Sequence, residues 1–365
     1  MIVESFGGGV GRHCVDLVFG LHDLGHEVHL IYSAGRVDLG TTAGLAAIQT
    51  KRIPTYQVSM KSRPDSSDLA AIKEIRSYIK QHGPFDVVHG QSSKGGALAR
   101  LARPPYPAVV VYTPHAIATM SPTRSGLSRK ILGVVEKHLA RKTDAIICVS
   151  PDEEQHIIHL GISPGLLYTV INGIAMGPDP TATKPKVVGF VGRFEEQKHP
   201  ENLLRAFASA GMPDWRLAMV GYGPLEQELK SFVTQLGIGA SVDWLGNQNG
   251  AEAMRGFGIF RLPSRYEAMP YVLLEALAAG LPIVSTQCGG ATTTITDGVN
   301  GLIVPIEDST ALANALKQVM GDEHLRLRMG ENSLQRAAEF SLEAMVNNTI
   351  KVYEDVIDKK RVGSR

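Results

Sequence analysis

Short β-branched apolar runs alternate along the 365-residue chain with longer stretches whose apolar positions recur at helical spacing. Ile2–Phe6 and Glu27–Tyr32 read as strands, separated by the glycine-rich turn Gly7–Gly11 and a helix running to Leu24. Phe85–His89, Ala108–Tyr112, Ala145–Ser150 and Leu167–Ile171 continue the strand series, with a helix over Ser67–Gln81 among them. Near residue 172 the periodicity stops: NGIAMGPDPTATKPK is rich in Gly, Pro and Thr and reads as an interdomain linker. The rhythm then resumes. Strands are expected at Val187–Val191, Arg216–Val220, Val242–Leu245, Phe257–Leu262 and Pro282–Ser285. Helices are expected at Pro200–Ala210, Pro224–Leu236, near Ala251–Arg255 and at Pro270–Ala279, and they dominate from Ser309 to Asp358. Alternation of this kind means an α/β fold with parallel sheets covered by helices on both faces. Two doubly wound halves in tandem, with a cleft between them, is the economical reading. The first strand is brief, so it is either a short edge element or the continuation of a chain that starts upstream of Met1.

Composition refines this picture only slightly. With 44% hydrophobic and 20% charged residues, each half has material for an ordinary core. Lys and Arg number 37 against 36 Asp and Glu, a net charge of +1, and no nucleic-acid partner is expected. Cys14, Cys148 and Cys288 form no C-x-x-C and fit the reduced thiols of a cytosol. MIVESFGGG lacks the basic head and apolar run of a secretory leader, and no stretch approaches the ~20 apolar residues that span a bilayer. The expected location is cytoplasmic, or peripheral on the cytoplasmic face of a membrane.

The chemistry concentrates in PSRYEAMPYVLLEALAAG, Pro263 to Gly280. Glu267 falls in a strand-to-helix loop, where an open α/β sheet presents helix amides to ligands. Glu275 sits inside the helix that follows, on a face with Tyr271, Val272, Ala278 and Ala279. A carboxylate in such surroundings needs a partner, either a structural cation or a polyol such as a ribose. VGRFEEQKHP puts Arg193 and Lys198 beside another helix N-terminus, a site for a diphosphate by charge and geometry. GYGP, with Gly221 and Gly223, ends the next strand in a close-approach turn that admits a flat base or a phosphate. At successive strand ends of one sheet these signals describe a nucleoside diphosphate, with carboxylates for its sugars.

In these motifs the chain resembles the retaining family 4 glycosyltransferases, whose two Rossmann-like domains form the GT-B fold. The likeness runs from ESFGGGVGRH to FSLEAMVNNTIKVYEDVI, and its most specific part is the E-x7-E element from Glu267 to Glu275. It implies an acceptor-side domain over 1–172, a linker over 173–186, a donor domain over 187–340, and a helix over 341–365 crossing back to the first domain. It implies that Arg193 and Lys198 bind the donor diphosphate and that Glu275 holds the ribose. Glu267 would face the donor hexose, and the amides of Met269 and its neighbours would point toward phosphate, with Ala268 and Pro270 beside them on the donor side. His115 in VYTPHAIAT matches the histidine that the family aims at the donor sugar. The Gly7–Gly11 turn would approach from across the cleft, with Gly9 on the donor side and Gly8 and Arg12 on the acceptor side, where Ser92, Ser93 and Lys94, which open a helix of the first half, are further candidates to touch the acceptor. The family usually has Gly where Ala268 stands, and a Cβ there costs about 1–2 kcal/mol if the backbone is left-handed. Gly258 and Arg261 are further departures, in the strand before.

The expected activity is transfer of a hexose from a nucleotide sugar to a saccharide or lipid-linked acceptor with the anomeric configuration kept. Neither metal nor cofactor is expected, because the chain has no D-x-D and two cations can serve the leaving group. The alternatives are a nucleotide-sugar-binding protein without catalysis and a nucleotide-sugar 2-epimerase of the same fold. NAD binding is disfavoured, since Arg12 stands at the third position of G-x-G-x-x-G. His156 and His159 share a helix face but lack a third metal ligand; His26, His29 and His89 read as strand-edge or capping residues. Arg124–Lys142 is a basic amphipathic segment with Leu127, Ile131, Val134, Val135, His138 and Leu139 mainly to one side. That side either packs on the sheet or meets anionic lipid.

Overall fold

All strand pairs in the two sheets are parallel, so each connection must cross a sheet face and return at the same end. The structure, a computed structural model, describes residues 1–176 and 184–363. The chain divides into two compact units, Met1–Asn172 with Leu342–Arg365, and Gly173–Ser341. Residues 177–183 of the expected linker lie outside the described residues.

The first unit runs β1 (Ile2–Val3), α1 (Gly8–Asp23), β2 (Leu30–Tyr32), α2 (Leu39–Thr50), β3 (Thr55–Gln57), α3 (Ser67–His82) and β4 (Val87–Gln91). It continues with α4 (Ser92–Leu101), β5 (Val109–Thr113), α5 (Gly126–Ala140), β6 (Ala145–Cys148), α6 (Pro151–His159) and β7 (Leu167–Thr169). The second unit holds β8 (Val187–Val191), α7 (Pro200–Ala210), β9 (Arg216–Val220), α8 (Glu226–Gln235), β10 (Val242–Gly246), α9 (Gly250–Ala253) and β11 (Ile259–Leu262). Next come α10 (Tyr271–Ala278), β12 (Ile283–Thr286), α11 (Ala291–Thr294), β13 (Gly301–Val304), α12 (Ser309–Gly321) and α13 (Glu323–Ala337). The last helix, α14 (Leu342–Gly363), returns to the first unit.

Strand order is β3-β2-β1-β4-β5-β6-β7 in the first sheet and β10-β9-β8-β11-β12-β13 in the second. Each sheet therefore reverses its winding at one point, between β1 and β4 or between β8 and β11. Chain connections leave in opposite directions there and open a crevice at the strand carboxyl ends. The Gly7–Gly11, Ser92–Lys94, Arg193–Lys198 and Glu267 segments follow these four strands, whereas Gly221 and Gly223 follow β9 and His115 follows β5, each one strand further out.

Both units are built around apolar sheet faces. In the second, Val188, Phe190, Leu217, Met219 and Val284 pack under Leu203, Leu204 and Phe207 of α7 and Leu312 and Leu316 of α12. In the first, Val3, Leu30, Val109 and Val111 pack with Leu17 and Val18 of α1 and with Met345, Val346, Val352 and Val356 of α14.

Several expectations change. The strand expected at Ile2–Phe6 ends at Val3, because the chain turns at once, the Phe6 N–H donating to the Glu4 carbonyl. The glycine-rich turn is instead the start of α1, with Gly7 as its N-cap. Pro270 is the N-cap of α10 rather than its first residue. The segments α2, β3 and β13 had no expectation at all. In α5 the apolar side does not pack on the sheet: Leu127, Ile131, Val134 and Val135 are exposed, whereas Leu139, expected with them, is buried together with Gly133, Glu136 and Ala140. Among the described residues no helix is long and apolar enough to cross a membrane.

Candidate functional site

In the second unit the loops after β8 and β11 are tied to each other. The Arg265 N–H donates to the Gln197 carbonyl at 2.8 Å, and Gln197 Nε2 donates to the Tyr266 carbonyl at 3.1 Å. At the centre Lys198 Nζ lies 2.6 Å from Glu267 Oε1, which also accepts from Ser264 Oγ at 2.7 Å. Both side chains are largely buried, at 16% and 8% exposure. Burial works against the Lys198 charge, but the Glu267 carboxylate outweighs it and raises the pKa above the ordinary value. Arg193 differs: its side chain is 56% exposed and only loosely paired, 3.7 Å from Glu195. One predicted cation is thus held in place and the other reaches solvent.

Glycines bring these loops together. A Cβ on Gly221 would lie 1.9 Å from the Gly192 carbonyl oxygen, and one on Gly223 would lie 2.4 Å from that of Phe194. The close approach expected of GYGP is therefore made to the neighbouring loop, not to open space. Gly289 and Gly290, to which the sequence reading gave no role, do the same for the Glu267 loop, against the Glu267 and Ala268 carbonyls. Ala268 is buried and is not among the non-glycine residues with positive φ, so its Cβ carries no left-handed strain. Met269 is buried beside it, and Pro270 leaves the N-terminus of α10 without a side-chain cap.

Glu275 is less enclosed than its sequence neighbours suggested. Tyr271, Leu273, Leu274, Ala276 and Leu277 are buried, but Val272, Glu275, Ala278 and Ala279 form a half-buried face of α10. Glu275 Oε2 would lie 3.5 Å from a Cβ on Gly250, which would also meet Val191. The carboxylate therefore sits by the carboxyl end of β8, where the Arg193 loop begins.

Behind this site lies a surprise that the sequence only hinted at. Arg261 of β11 is fully buried, and its Nε, Nη1 and Nη2 have no hydrogen-bond partner among the described residues. Desolvation pushes its pKa well below the usual arginine value.

The first unit gathers a second set of groups. His115 Nε2 lies 2.8 Å from Gln91 Oε1 at the end of β4. A carboxamide oxygen only accepts, so this bond places the His115 proton on Nε2 and leaves Nδ1 as an acceptor. His13 packs edge-on against His115 at 4.6 Å between centroids and donates from Nδ1 to Asn172 Oδ1 at 3.2 Å. Burial lowers the His13 pKa to about 4, and pushes those of His89 and His115 well below the usual range. Both His89 nitrogens are engaged, with Tyr353 at 2.7 Å and Thr113 at 2.8 Å, so this histidine holds structure.

The backbone at His115 and Ala116 is left-handed, with φ of 55° and 70°. Strain of this kind persists only where surroundings impose it. Here the buried Glu153 imposes it: Oε1 accepts from the Ala116 and Ile117 N–H groups at 2.8 and 3.0 Å, and Oε2 from Val149 N–H at 3.0 Å. Glu153 was not foreseen; an acid three residues after the N-cap Ser150 was the available signal.

The remaining candidates fare unevenly. Gly8 has φ of 56° and donates its N–H to Asp38 Oδ2 at 2.5 Å, while Gly9 is exposed. Arg12 pairs with Asp16 at 2.7 Å on the same helix. Lys94 is corrected from acceptor contact to structural ion pair: it is buried and lies 2.5 Å from both Asp68 oxygens. Ser92 has φ of 63° and a buried hydroxyl without a partner among the described residues, and Ser93 is half-buried beside it. His156 bonds Thr119 at 2.8 Å. Among the described residues no group of three His, Cys, Asp or Glu is placed to hold a metal ion.

Comparison with known proteins identifies the family and the fold. Residues 7–176 match the model described as Glycosyltransferase Family 4, and residues 176–336 that described as Glycosyl transferases group 1. The chain is 28% identical over 362 residues to D-inositol 3-phosphate glycosyltransferase from Corynebacterium jeikeium, covering 88% of this chain and 84% of that one. Sucrose-phosphate synthase from Thermosynechococcus elongatus has the same fold, with a TM-score of 0.81 at 20% identity over 98% of this chain and 96% of its own. Anabaena Alr3699/HepE in complex with UDP-glucose also scores 0.81 at 20% identity, covering 97% and 100%. The chain is a glycosyltransferase of GT-B fold and belongs to family 4.

Proposed function

We propose that the protein transfers a hexose from a nucleoside diphosphate sugar to a hydroxyl of a saccharide or lipid-linked acceptor, with retention and without a metal ion. The observation that carries this reading is the buried Lys198–Glu267 pair joining two loops at the reversal point of the second sheet. A preorganised cation there meets the charge that develops on the leaving diphosphate, and one such contact supplies about 3–4 kcal/mol. Arg193, exposed and loosely paired, closes on the diphosphate when the donor arrives. Glu275, half-buried by the end of β8, accepts from the ribose hydroxyls.

Glu267 shares one carboxylate oxygen between Lys198 and Ser264. A carboxylate so engaged is a poor nucleophile, which favours its placing the hexose while the acceptor attacks from the same face. In that step the acceptor oxygen forms the new glycosidic bond and the bond to the diphosphate breaks. The acceptor proton passes to a phosphate oxygen of the departing group. His115, neutral near pH 7 because burial opposes its charge, offers Nδ1 to a sugar hydroxyl. The C. jeikeium relative's name gives inositol 3-phosphate as one kind of acceptor, and the Anabaena structure contains UDP-glucose as one kind of donor.

The test combines a screen of nucleoside diphosphate sugars, scored by nucleotide release, with NMR of the product anomer. Arg193→Ala is expected to lower turnover about a hundredfold while leaving the melting temperature nearly unchanged. Equal losses of both would assign Arg193 to folding. Tight nucleotide binding without release in the presence of acceptors would favour the non-catalytic reading, and a changed sugar on the nucleotide would favour the epimerase.

A further inference from the structure

The outward face of α5 is the feature that the activity leaves unexplained. Leu127, Ile131, Val134 and Val135 are 70%, 56%, 67% and 45% exposed, although their spacing of four, three and one puts them on one helix face. On the opposite side Gly133, Glu136, Leu139 and Ala140 anchor the helix to the unit. The apolar stripe is therefore not a core face that failed to pack; a second face does the packing.

Charge is distributed just as unevenly. Arg124, Arg129, Lys130, Lys137 and Arg141 are exposed, and no ion pair engages any of them among the described residues. At 100° per residue Lys130, Lys137 and Arg141 fall along one border of the apolar stripe. The one acid between Arg124 and Lys142, Glu136, is buried and bonded to Arg100 at 2.8 Å. What this face offers to the outside is an apolar ridge, carrying the exposed His138 between Val134 and Val135, with cations and no exposed acid of its own helix along the edge.

We propose that α5 lies in the plane of an anionic bilayer surface, its apolar ridge among the acyl chains and its cations among the headgroups. Charge complementarity and area select this occupant. Four side chains along about 12 Å of helix make far less than the ~800 Å² per side that a stable protein interface needs. A second copy of the same face would bring cations against cations. A bilayer requires no matched contour, and long cationic side chains beside an apolar stripe reach its headgroups without leaving the ridge. The proposal does not depend on which sugar or acceptor the site takes.

Flotation with vesicles of phosphatidylcholine, alone or mixed with phosphatidylglycerol, tests it on the full chain. Binding is expected to the mixed vesicles only, and to fall as salt rises past the point where the Debye length drops below about 8 Å. The triple variant Leu127→Ser, Ile131→Ser, Val134→Ser and the charge variant Lys130→Glu, Lys137→Glu should each weaken binding at least about tenfold. These positions are exposed, so unchanged circular dichroism and an unchanged thermal shift with nucleoside diphosphates will show that the variants fold. Equal binding to both vesicle types, no binding to either, or binding that survives both variants would overturn the proposal. So would a concentration-dependent dimer abolished by the serine variant, which would give this face to a second copy.

Discussion

Arg261 shows how a single side chain can oppose the fold that carries it. Its neighbour two residues back, Ile259, belongs to the apolar core on the same sheet face, and the guanidinium has no acceptor among the described residues. A buried charge without a partner costs several kcal/mol, and replacing buried charges by apolar residues of similar volume commonly stabilises. Arg261→Met is expected to stabilise the second unit by at least about 1 kcal/mol, measured by urea unfolding. A loss of stability would mean that the guanidinium is satisfied in a way its surroundings do not reveal. Residue chemistry was otherwise legible only in part. Arg193, Lys198 and Glu267 declare themselves by type and position. Ser264, Gln197 and Glu153 do not, because their meaning lies in partners 3 to 70 residues away that only the folded chain brings near.

Elements were more legible where local and global signals agree. Pro200–Ala210 and Arg216–Val220 were expected with the bounds they have, since a helix-starting proline or a continuous apolar run marks each. β3 is a three-residue edge strand and α2 carries two glycines and three threonines, so neither has a periodic signal to read. Periodicity also failed for α5 in an instructive way: it tells which residues share a face, not which way that face turns. The loop after β5 joins residue and element. Glu153 of α6 holds three backbone N–H groups and thereby keeps His115 and Ala116 left-handed. Glu153→Gln puts an amide donor against at least one of those N–H groups, leaving a buried donor unmet at a cost of about 1–3 kcal/mol. Turnover is expected to fall about tenfold or more, with a lower melting temperature. Unaltered kinetics would show that the loop keeps its shape without the clamp.

At the scale of the whole molecule, the buried histidines set a pH dependence for the first unit. His13 titrates near pH 4 when folded against about 6.5 when unfolded, and His89 and His115 shift the same way. The unfolded chain therefore binds more protons in this window. Stability is fully present above about pH 6.5 and is lost as pH falls toward 4, by roughly 1.4 kcal/mol per pH unit for each histidine. Asp16 and Glu153, whose pKa values burial raises, act in the opposite sense at the acid end. The check is a pH series of unfolding for the native chain and for His13→Asn, which should flatten the slope. Equal slopes would remove His13 from the balance. Fold class and tandem architecture could be read from alternation alone, but the strand orders could not. Nothing local in a parallel strand names its neighbour, and it is that order which sets the chemical loops at or one strand from the two reversal points.

The return of α14 has a consequence for how the protein is made. Met345, Val346, Val352 and Val356 complete the interior of a unit whose other part ends at Asn172, a whole second unit before Leu342. A methyl of Val346 would come within 2.3 Å of a Cβ on Gly20, so the fit is close. The second unit, continuous from Gly173 to Ser341, has all its parts first. The portion that leaves the ribosome earliest must therefore wait, incomplete, until the portion that follows it has already been delivered.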